Sequence, residues 1–411
     1  MAADFLDCGV GSHLVNQFGE SNDIGLGLVR FSDRLVDTLS LPPAWRNTVK
    51  PALHISAIRT RFVKVPMKFP LGTSAARVTA APLLLVDLET KEGVIGRSYL
   101  FCYRDSGARA IAEILAEANG LIAGMEAAPA KIADFLGRRY ALLGVTGVAR
   151  MALAAIDIAL WDAQAVAAEM PLATFLGGTL DPIPAYNSDG LGLMPAKDAA
   201  EEAVRLLEPG FHAVKLRLGH ADARVDREVA AAVRGAMGSD AALMVDYNQA
   251  LTVPEAIQRG RALDGLNVYW LEEQIRHGDL QGYAAIAAAL DTPVQLGENL
   301  DGPEAVFDVV ATRAADYLML DPARIGGVTG WMRGAAIAAA RGVPVSSHLF
   351  PEISIHLLAA TPTAHWLEYT SWADAILEAP LEIVDGRIAP PNRPGLGLQW
   401  SESGIARCGL G

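Results

Sequence analysis

Short apolar runs, each closed by an ionisable side chain, recur through the second half of the chain. They end at Lys215-Leu-Arg217, Asp246, Glu272, Glu298, Asp321, His348 and Glu368. Counting from Lys215, successive ends lie 31, 26, 26, 23, 27 and 20 residues apart. That spacing admits one strand, one loop and one helix per step, the period of a β/α unit. Runs that are apolar throughout, rather than alternating, mark parallel strands covered on both faces. In a closed β/α barrel the C-terminal ends of such strands meet on one rim, where active sites sit. Seven ionisable ends in register therefore predict an assembled site. A further strand is predicted over 182–187, and helices over 196–207, 221–237, 254–262, 303–313 and 330–341 supply the alternation.

The first half reads differently. β-Branched residues concentrate over 53–65 and 83–99, and Thr90-Lys91-Glu92-Gly93 marks a hairpin turn inside the second stretch. Helical patterns follow over 106–119, 129–138 and 147–169. Strands followed by helices predict a separate α+β domain over 53–176. The barrel is expected over 177–375. A Pro/Gly-rich segment, 376–411, is expected to return to the first domain. Residues 1–52 show no sustained period and read as an extension with little structure of its own.

At 411 residues, 51% of them apolar, the chain is too long for one ordinary core and rich enough to bury two. Its 34 basic and 47 acidic residues give a formal charge of −13, which argues against a nucleic-acid groove. Cys8, Cys102 and Cys408 are too few and scattered for a disulfide framework or a zinc cluster. The N-terminus lacks the basic flank and apolar core of a signal peptide. The most apolar helical stretch carries Asp157, Asp162 and Glu169, so it is expected to be buried in protein rather than in a membrane. A cytoplasmic protein with no membrane and no nucleic-acid partner is the expectation.

Asp246, Glu272 and Glu298 close three successive strands. Like charges held close together repel unless a cation neutralises them. Oxygen ligands that leave room for water and substrate suit Mg²⁺. Singly, each could be a rim carboxylate paired with a base; three in register favour the metal. Lys215 and Arg217, two apart on a strand, point to the same side of the sheet. They either flank an anionic substrate or extend into solvent. Asp321 and His348 close neighbouring strands, where a carboxylate can orient an imidazole for proton transfer. Glu368 is expected across the pocket, where a carboxyl among other acids can stay protonated and donate. His212, His356 and His365 read as structural. The glycines of Ile325-Gly-Gly-Val-Thr-Gly330 lack the ending of a P-loop and read as a tight turn beside the site. Phe69 to Arg77, small and apolar, could be a lid over the barrel mouth.

These features resemble the mandelate racemase subgroup of the enolase superfamily, from about Leu53 to the C-terminus. The segments that carry the resemblance are Met244-Val-Asp-Tyr-Asn-Gln249, Trp270-Leu-Glu-Glu273, Gly297-Glu-Asn299, 325–331, Ser346-Ser-His-Leu-Phe350 and 357–368. The resemblance implies an α/β fold: a modified (β/α)8-type barrel with an N-terminal α+β capping domain. It implies Mg²⁺ on Asp246, Glu272 and Glu298, and a His348–Asp321 dyad that moves protons. It also implies Glu368 hydrogen-bonding the substrate carboxylate, Lys215 stabilising that carboxylate, and Asn248 near the 2-hydroxyl. The shared chemistry is removal of the proton α to a carboxylate of a small acid. A homo-oligomer is expected.

One departure matters. Racemases of the family carry Lys-x-Lys where this chain has Lys215-Leu-Arg217. Arginine keeps its proton and makes a poor base. Three functions follow. In the first, a one-base enzyme uses His348 to dehydrate a 2-hydroxy or sugar acid to a 2-keto acid. In the second, a racemase or epimerase of a 2-hydroxy acid such as mandelate uses Arg217 as its second base. In the third, the chain binds metal and carboxylate without catalysis.

Overall fold

The computed structural model describes residues 52–73 and 77–409. All but the last residue of the expected extension, Cys8 included, lies outside the described residues.

Three antiparallel strands in the order β1 (Ile55–Gly72), β2 (Arg77–Thr90) and β3 (Ile95–Phe101) open the described chain. The turn at 90–93 joins β2 to β3, as its residues predict. Gly72 faces Arg77 where β1 leads towards β2, at the turn end of the long hairpin. Helices α1 (Asp105–Ile122), α2 (Pro129–Arg139) and α3 (Gly147–Ala168) follow. Helix α3 lies directly on β3: a Cβ at Gly96 would meet the Ala159 carbonyl oxygen at 1.9 Å. It is the one described helix long and apolar enough to cross a membrane, and 67% of that window is buried inside the protein. Its acids are spent internally. Asp157 accepts from the Thr329 N–H and hydroxyl, at 2.8 and 2.6 Å. Asp162 accepts from the Arg97 and Leu396 N–H groups, at 2.7 and 2.6 Å.

The barrel strands are β4 (Ile183–Asn187), β5 (Ala213–Arg217), β6 (Ala242–Asp246), β7 (Val268–Glu272), β8 (Val294–Leu296), β9 (Tyr317–Leu320), β10 (Val345–Ser347) and β11 (Leu367–Tyr369). Neighbours from β4 to β10 pair in parallel, and β11 pairs with β4. The Ser347 N–H donates to the Trp366 carbonyl at 3.0 Å and the His365 N–H to the Val345 carbonyl at 2.8 Å. Those bonds tie β10 to the approach to β11 and close the ring. A short β12 (Arg387–Ile388) adds antiparallel to β4. Tyr186, Met244, Trp270 and Met319, fully buried, fill the interior as layers of side chains. Near the C-terminus, Trp400 Nε1 donates to Asp87 of β2 at 2.8 Å.

Helices at Leu280–Ala289 and Pro351–Ala359 also pack on the barrel. The glycine run after Asp321 makes the expected turn. Gly326 and Gly327 have φ of 99° and 74°, and a Cβ at Gly327 would lie 2.4 Å from Asp157. The next helix starts there, at Gly327 rather than 330.

Candidate active site

The strand register brings the ionisable ends onto one rim. Asp246 and Glu272 are the last residues of β6 and β7 and pair with each other across the strands. Glu298 sits two residues past β8, after Gly297 at φ 138°. A Cβ on Gly297 would strike the Met319 carbonyl oxygen at 2.2 Å, so only glycine lets the chain turn there. These three carboxylates offer oxygens within 4.8 Å of one another. Asp246 also accepts from the Asn248 N–H at 2.7 Å and amide at 2.8 Å, and Glu272 from Trp270 Nε1 at 3.0 Å.

Lys215, buried on β5, is the hub. Its ammonium lies 2.6 Å from Glu272, 2.7 Å from Glu368 and 3.7 Å from Asp246. Burial alone would lower its pKa, but those three carboxylates raise it, so the lysine stays charged. Two close partners leave one N–H free to meet a substrate. Burial raises Glu272 to about 7 against the pull of Lys215, and raises Asp246 as well. Such carboxyls gain by sharing a cation.

His348 follows β10. Its Nδ1 lies 2.7 Å from Asp321 and its Nε2 3.2 Å from Glu298. Asp321 is fixed in turn by the N–H groups of Ala323 and Arg324, at 2.7 and 3.1 Å, as it caps the short helix Pro322–Ile325. Burial opposes the charged imidazole. Glu298, Glu368 and Asp321 outweigh it and raise His348 well above its ordinary value.

Glu368 is buried, which works against its charge, yet Lys215 and His348 pull it down to about 2, the reverse of the direction that acids crowded together would give. It accepts from the Ser188 hydroxyl at 2.7 Å and the Leu349 N–H at 2.6 Å, besides Lys215. Those three contacts fix its carboxyl group at the cavity edge. Arg217 is equally committed. Its guanidinium donates to the Ser188 and Gly190 carbonyls at 2.8 and 2.9 Å and to the Ser188 hydroxyl at 2.8 Å.

A cavity of about 240 Å³ opens onto Lys215, Arg217, Asp246, Asn248, Glu298, His348 and Glu368, while Glu272 and Asp321 stand just behind. The first domain roofs it with Leu71, Thr73 and Val78 of the hairpin end and with Phe101 and Tyr103; Leu349 and Trp372 add apolar wall from the barrel side. The hairpin end rests on the loop after β4. Gly72 accepts from the Leu193 N–H at 2.9 Å, and a Cβ at Gly192 would lie 2.4 Å from the Gly72 carbonyl oxygen. Tyr103, Gln249 and Trp372 gave no periodic signal in the sequence; only the positive φ of Tyr103 (60°) and Gln249 (63°) singles two of them out, and that needs coordinates.

The three histidines set aside are remote from this cavity. His356 is buried and burial lowers it to about 4, with Nδ1 accepting from the Ala173 N–H. His365, likewise lowered to about 4, contacts Tyr269 below the barrel, and His212 faces Asp385.

A capped β/α barrel with a carboxylate trio facing a His–Asp dyad defines the enolase-type enzymes that abstract protons α to carboxylates. Residues 56–177 match the mandelate racemase / muconate lactonizing enzyme N-terminal domain, and 198–404 the enolase C-terminal domain-like family. The L-talarate/galactarate dehydratase of Salmonella typhimurium is 33% identical over 84% of this chain and 89% of its own. An enolase from alpha proteobacterium bal199, solved with bound magnesium, is 42% identical with a TM-score of 0.84, covering 87% of this chain and 99% of that one. A Bradyrhizobium enolase complexed with magnesium and mandelic acid is 36% identical with a TM-score of 0.84, covering 88% and 100%. The chain belongs to the mandelate racemase / muconate lactonizing enzyme family of the enolase superfamily, and it is an enzyme, a lyase or isomerase.

Proposed function

We propose that the protein dehydrates a 2,3-dihydroxy acid, such as a sugar acid, to the 2-keto acid, with His348 as its single base. Asp246, Glu272 and Glu298 would hold Mg²⁺: the oxygens are near enough, the donor set is all carboxylate, and two of the three are pushed towards the proton-bound form by burial. When bound, the ion supplies positive charge beside the substrate carboxylate, which eases loss of the α-proton. With Glu298 engaged by a cation, the His348 imidazole loses its strongest attraction and can rest neutral. Nδ1, held by Asp321, leaves Nε2 to accept the α-proton. The same nitrogen returns that proton to the β-hydroxyl, which departs as water, and the resulting enol becomes the keto acid. Lys215 and Arg217 are fixed cations that favour the charge developing on the substrate. Asn248, at the cavity wall, would meet the 2-hydroxyl.

Arg217 carries this reading. Racemisation needs a base on each face of the α-carbon, and the second family position is occupied by a guanidinium locked onto three acceptors. The test is a panel of 2-hydroxy and sugar acids with Mg²⁺ in D₂O, following keto-acid release and α-proton exchange together. Exchange on both faces with no loss of water overturns dehydration.

One observation favours a racemase instead. Leu71, Val78, Phe101, Leu349 and Trp372 make much of the cavity wall apolar, which suits an aryl-bearing acid such as the mandelic acid bound by the Bradyrhizobium neighbour. In the same panel that reading requires exchange of mandelate enantiomers. Binding of acids with neither outcome leaves a catalytically silent binder.

A further inference from the structure

The two residues that follow His348 hold a backbone conformation that side chains resist. Leu349 and Phe350 have φ of 51° and 49°. Neither is a glycine or asparagine, which take the left-handed region readily, and such outliers persist only where the surroundings hold them. This turn carries the chain from β10, through His348, into the helix Pro351–Ala359, whose N-cap residue is Phe350. Relaxation of either φ would swing His348 relative to that helix.

The barrel supplies part of the hold. The Leu349 N–H donates to Glu368 at 2.6 Å, and the Leu349 carbonyl accepts from the Ser354 hydroxyl at 2.8 Å. The Phe350 carbonyl accepts from the Ile353 and Ser354 N–H groups, at 2.9 and 2.8 Å. The first domain adds to it through Tyr99 of β3. The Tyr99 ring meets the Phe350 ring, with centroids 5.4 Å apart and planes tilted by 56°. The Tyr99 hydroxyl donates to the Glu352 carboxyl group, two residues further on. All three side chains are buried. The other oxygen of Glu352 has no hydrogen-bond partner among the described residues. Without the Tyr99 hydroxyl, a bare carboxyl group would stand buried at the start of the helix, a costly state that favours rearrangement. Residues 99 and 101 project from the same face of β3. Phe101 roofs the substrate cavity while Tyr99 grips the turn behind the imidazole.

We propose that Tyr99 is a positioning residue for His348, acting through the strained Leu349–Phe350 turn. The first domain thus sets the aim of the imidazole as well as covering the cavity. The effect on catalysis rests on His348 being the base, which a separate variant checks.

The test compares the Mg²⁺-loaded full-length wild type with three variants. Tyr99→Phe keeps the ring and loses the hydroxyl, Tyr99→Leu loses both, and Glu352→Gln keeps an acceptor for the hydroxyl. Misplacing a catalytic group by about 1 Å costs about 10²-fold, so Tyr99→Leu should lower kcat per folded molecule by about that factor and Tyr99→Phe by about ten-fold, with KM held within about two-fold. Glu352→Gln should retain most of the wild-type kcat. A crystal structure of Tyr99→Leu should show Phe350 leaving its φ of 49° and His348 Nδ1 leaving its 2.7 Å contact with Asp321. A structure with the turn and that contact unmoved overturns the proposal on its own. So does a variant that loses unfolding free energy but keeps kcat per folded molecule, the result expected if Tyr99 only fastens one domain to the other. His348→Asn separates the two assignments. If it abolishes α-proton exchange in D₂O while Tyr99→Leu leaves exchange at the wild-type rate, the base stands and the role of Tyr99 falls. If exchange survives His348→Asn, the base assignment falls and takes the role of Tyr99 with it.

Discussion

Arg217→Lys is the substitution on which the reading of the reaction turns. The guanidinium is 4% exposed and satisfies the Ser188 and Gly190 carbonyls and the Ser188 hydroxyl at 2.8 to 2.9 Å. A lysine ammonium can keep about one of these acceptors. Two buried acceptors then lose a charged donor, at roughly 1–3 kcal/mol each, so unfolding free energy should fall by about 2–6 kcal/mol in a urea titration. The chemical effect has the opposite sign. A lysine buried beside Lys215 meets both desolvation and a like charge, which lower it from its ordinary ~10.4. A neutral fraction near neutral pH gives the second face a base. Proton NMR in D₂O, begun from each pure enantiomer of a turned-over acid, should show exchange with one enantiomer only in the wild type and with both in the variant. Equal exchange of both enantiomers by the wild-type enzyme would refute the assignment of Arg217 as a fixed cation.

Asp321→Asn should lower kcat by about 10²–10⁴ with little change in KM, because the imidazole loses the acceptor that fixes its tautomer; a fall of under three-fold would remove Asp321 from the proton path. Chelation should abolish turnover, and readdition of Mg²⁺ to a hundred-fold excess over its Kd should raise unfolding free energy by about 2.7 kcal/mol. Glu298→Gln should lose most of that gain, and an undiminished gain would place the ion elsewhere. Asp157, buried between α3 and the helix after Asp321, is raised by burial from 3.8 to about 7. The folded state therefore keeps a proton that the unfolded state has shed, and stability falls as pH rises from about 4 to about 7, by at most roughly 4 kcal/mol. Asp157→Asn should flatten that slope in denaturant titrations across the window; an unchanged slope would show that Asp157 is ionised in the fold.

The barrel was legible because buried parallel strands must be apolar throughout and their rim must be polar, so composition and position coincide at Asp246, Glu272 and Glu368. The apolar run overshoots the strand only where a short turn follows it. Glu298, Asp321 and His348 stand one or two residues past theirs, and Gly297 is the reason for the first. The helix Leu280–Ala289 went unseen because LQGYAAIAAA is apolar or small on most sides and has no polar stripe to set a period. Charge states were the least legible part. Glu368 looks like an acid among acids in one dimension, and the 2.7 Å approach of Lys215, first among the groups that lower it, is set by the barrel register. The roof residues Phe101 and Tyr103 reach the cavity through the packing of one domain on another, which no local pattern records.

The loop after β4 serves two masters. The Gly190 carbonyl anchors Arg217, and two residues later Gly192 gives the hairpin end its seat; a Cβ at Gly190 would also crowd Phe69, at 3.0 Å, and the carboxylate of Glu202, at 2.3 Å. Roof and cation are therefore geared together. A change that reshapes the roof for a bulkier acid must shift the peptide that steadies the guanidinium, so substrate range and reaction outcome in this lineage are expected to drift jointly, not as separable traits.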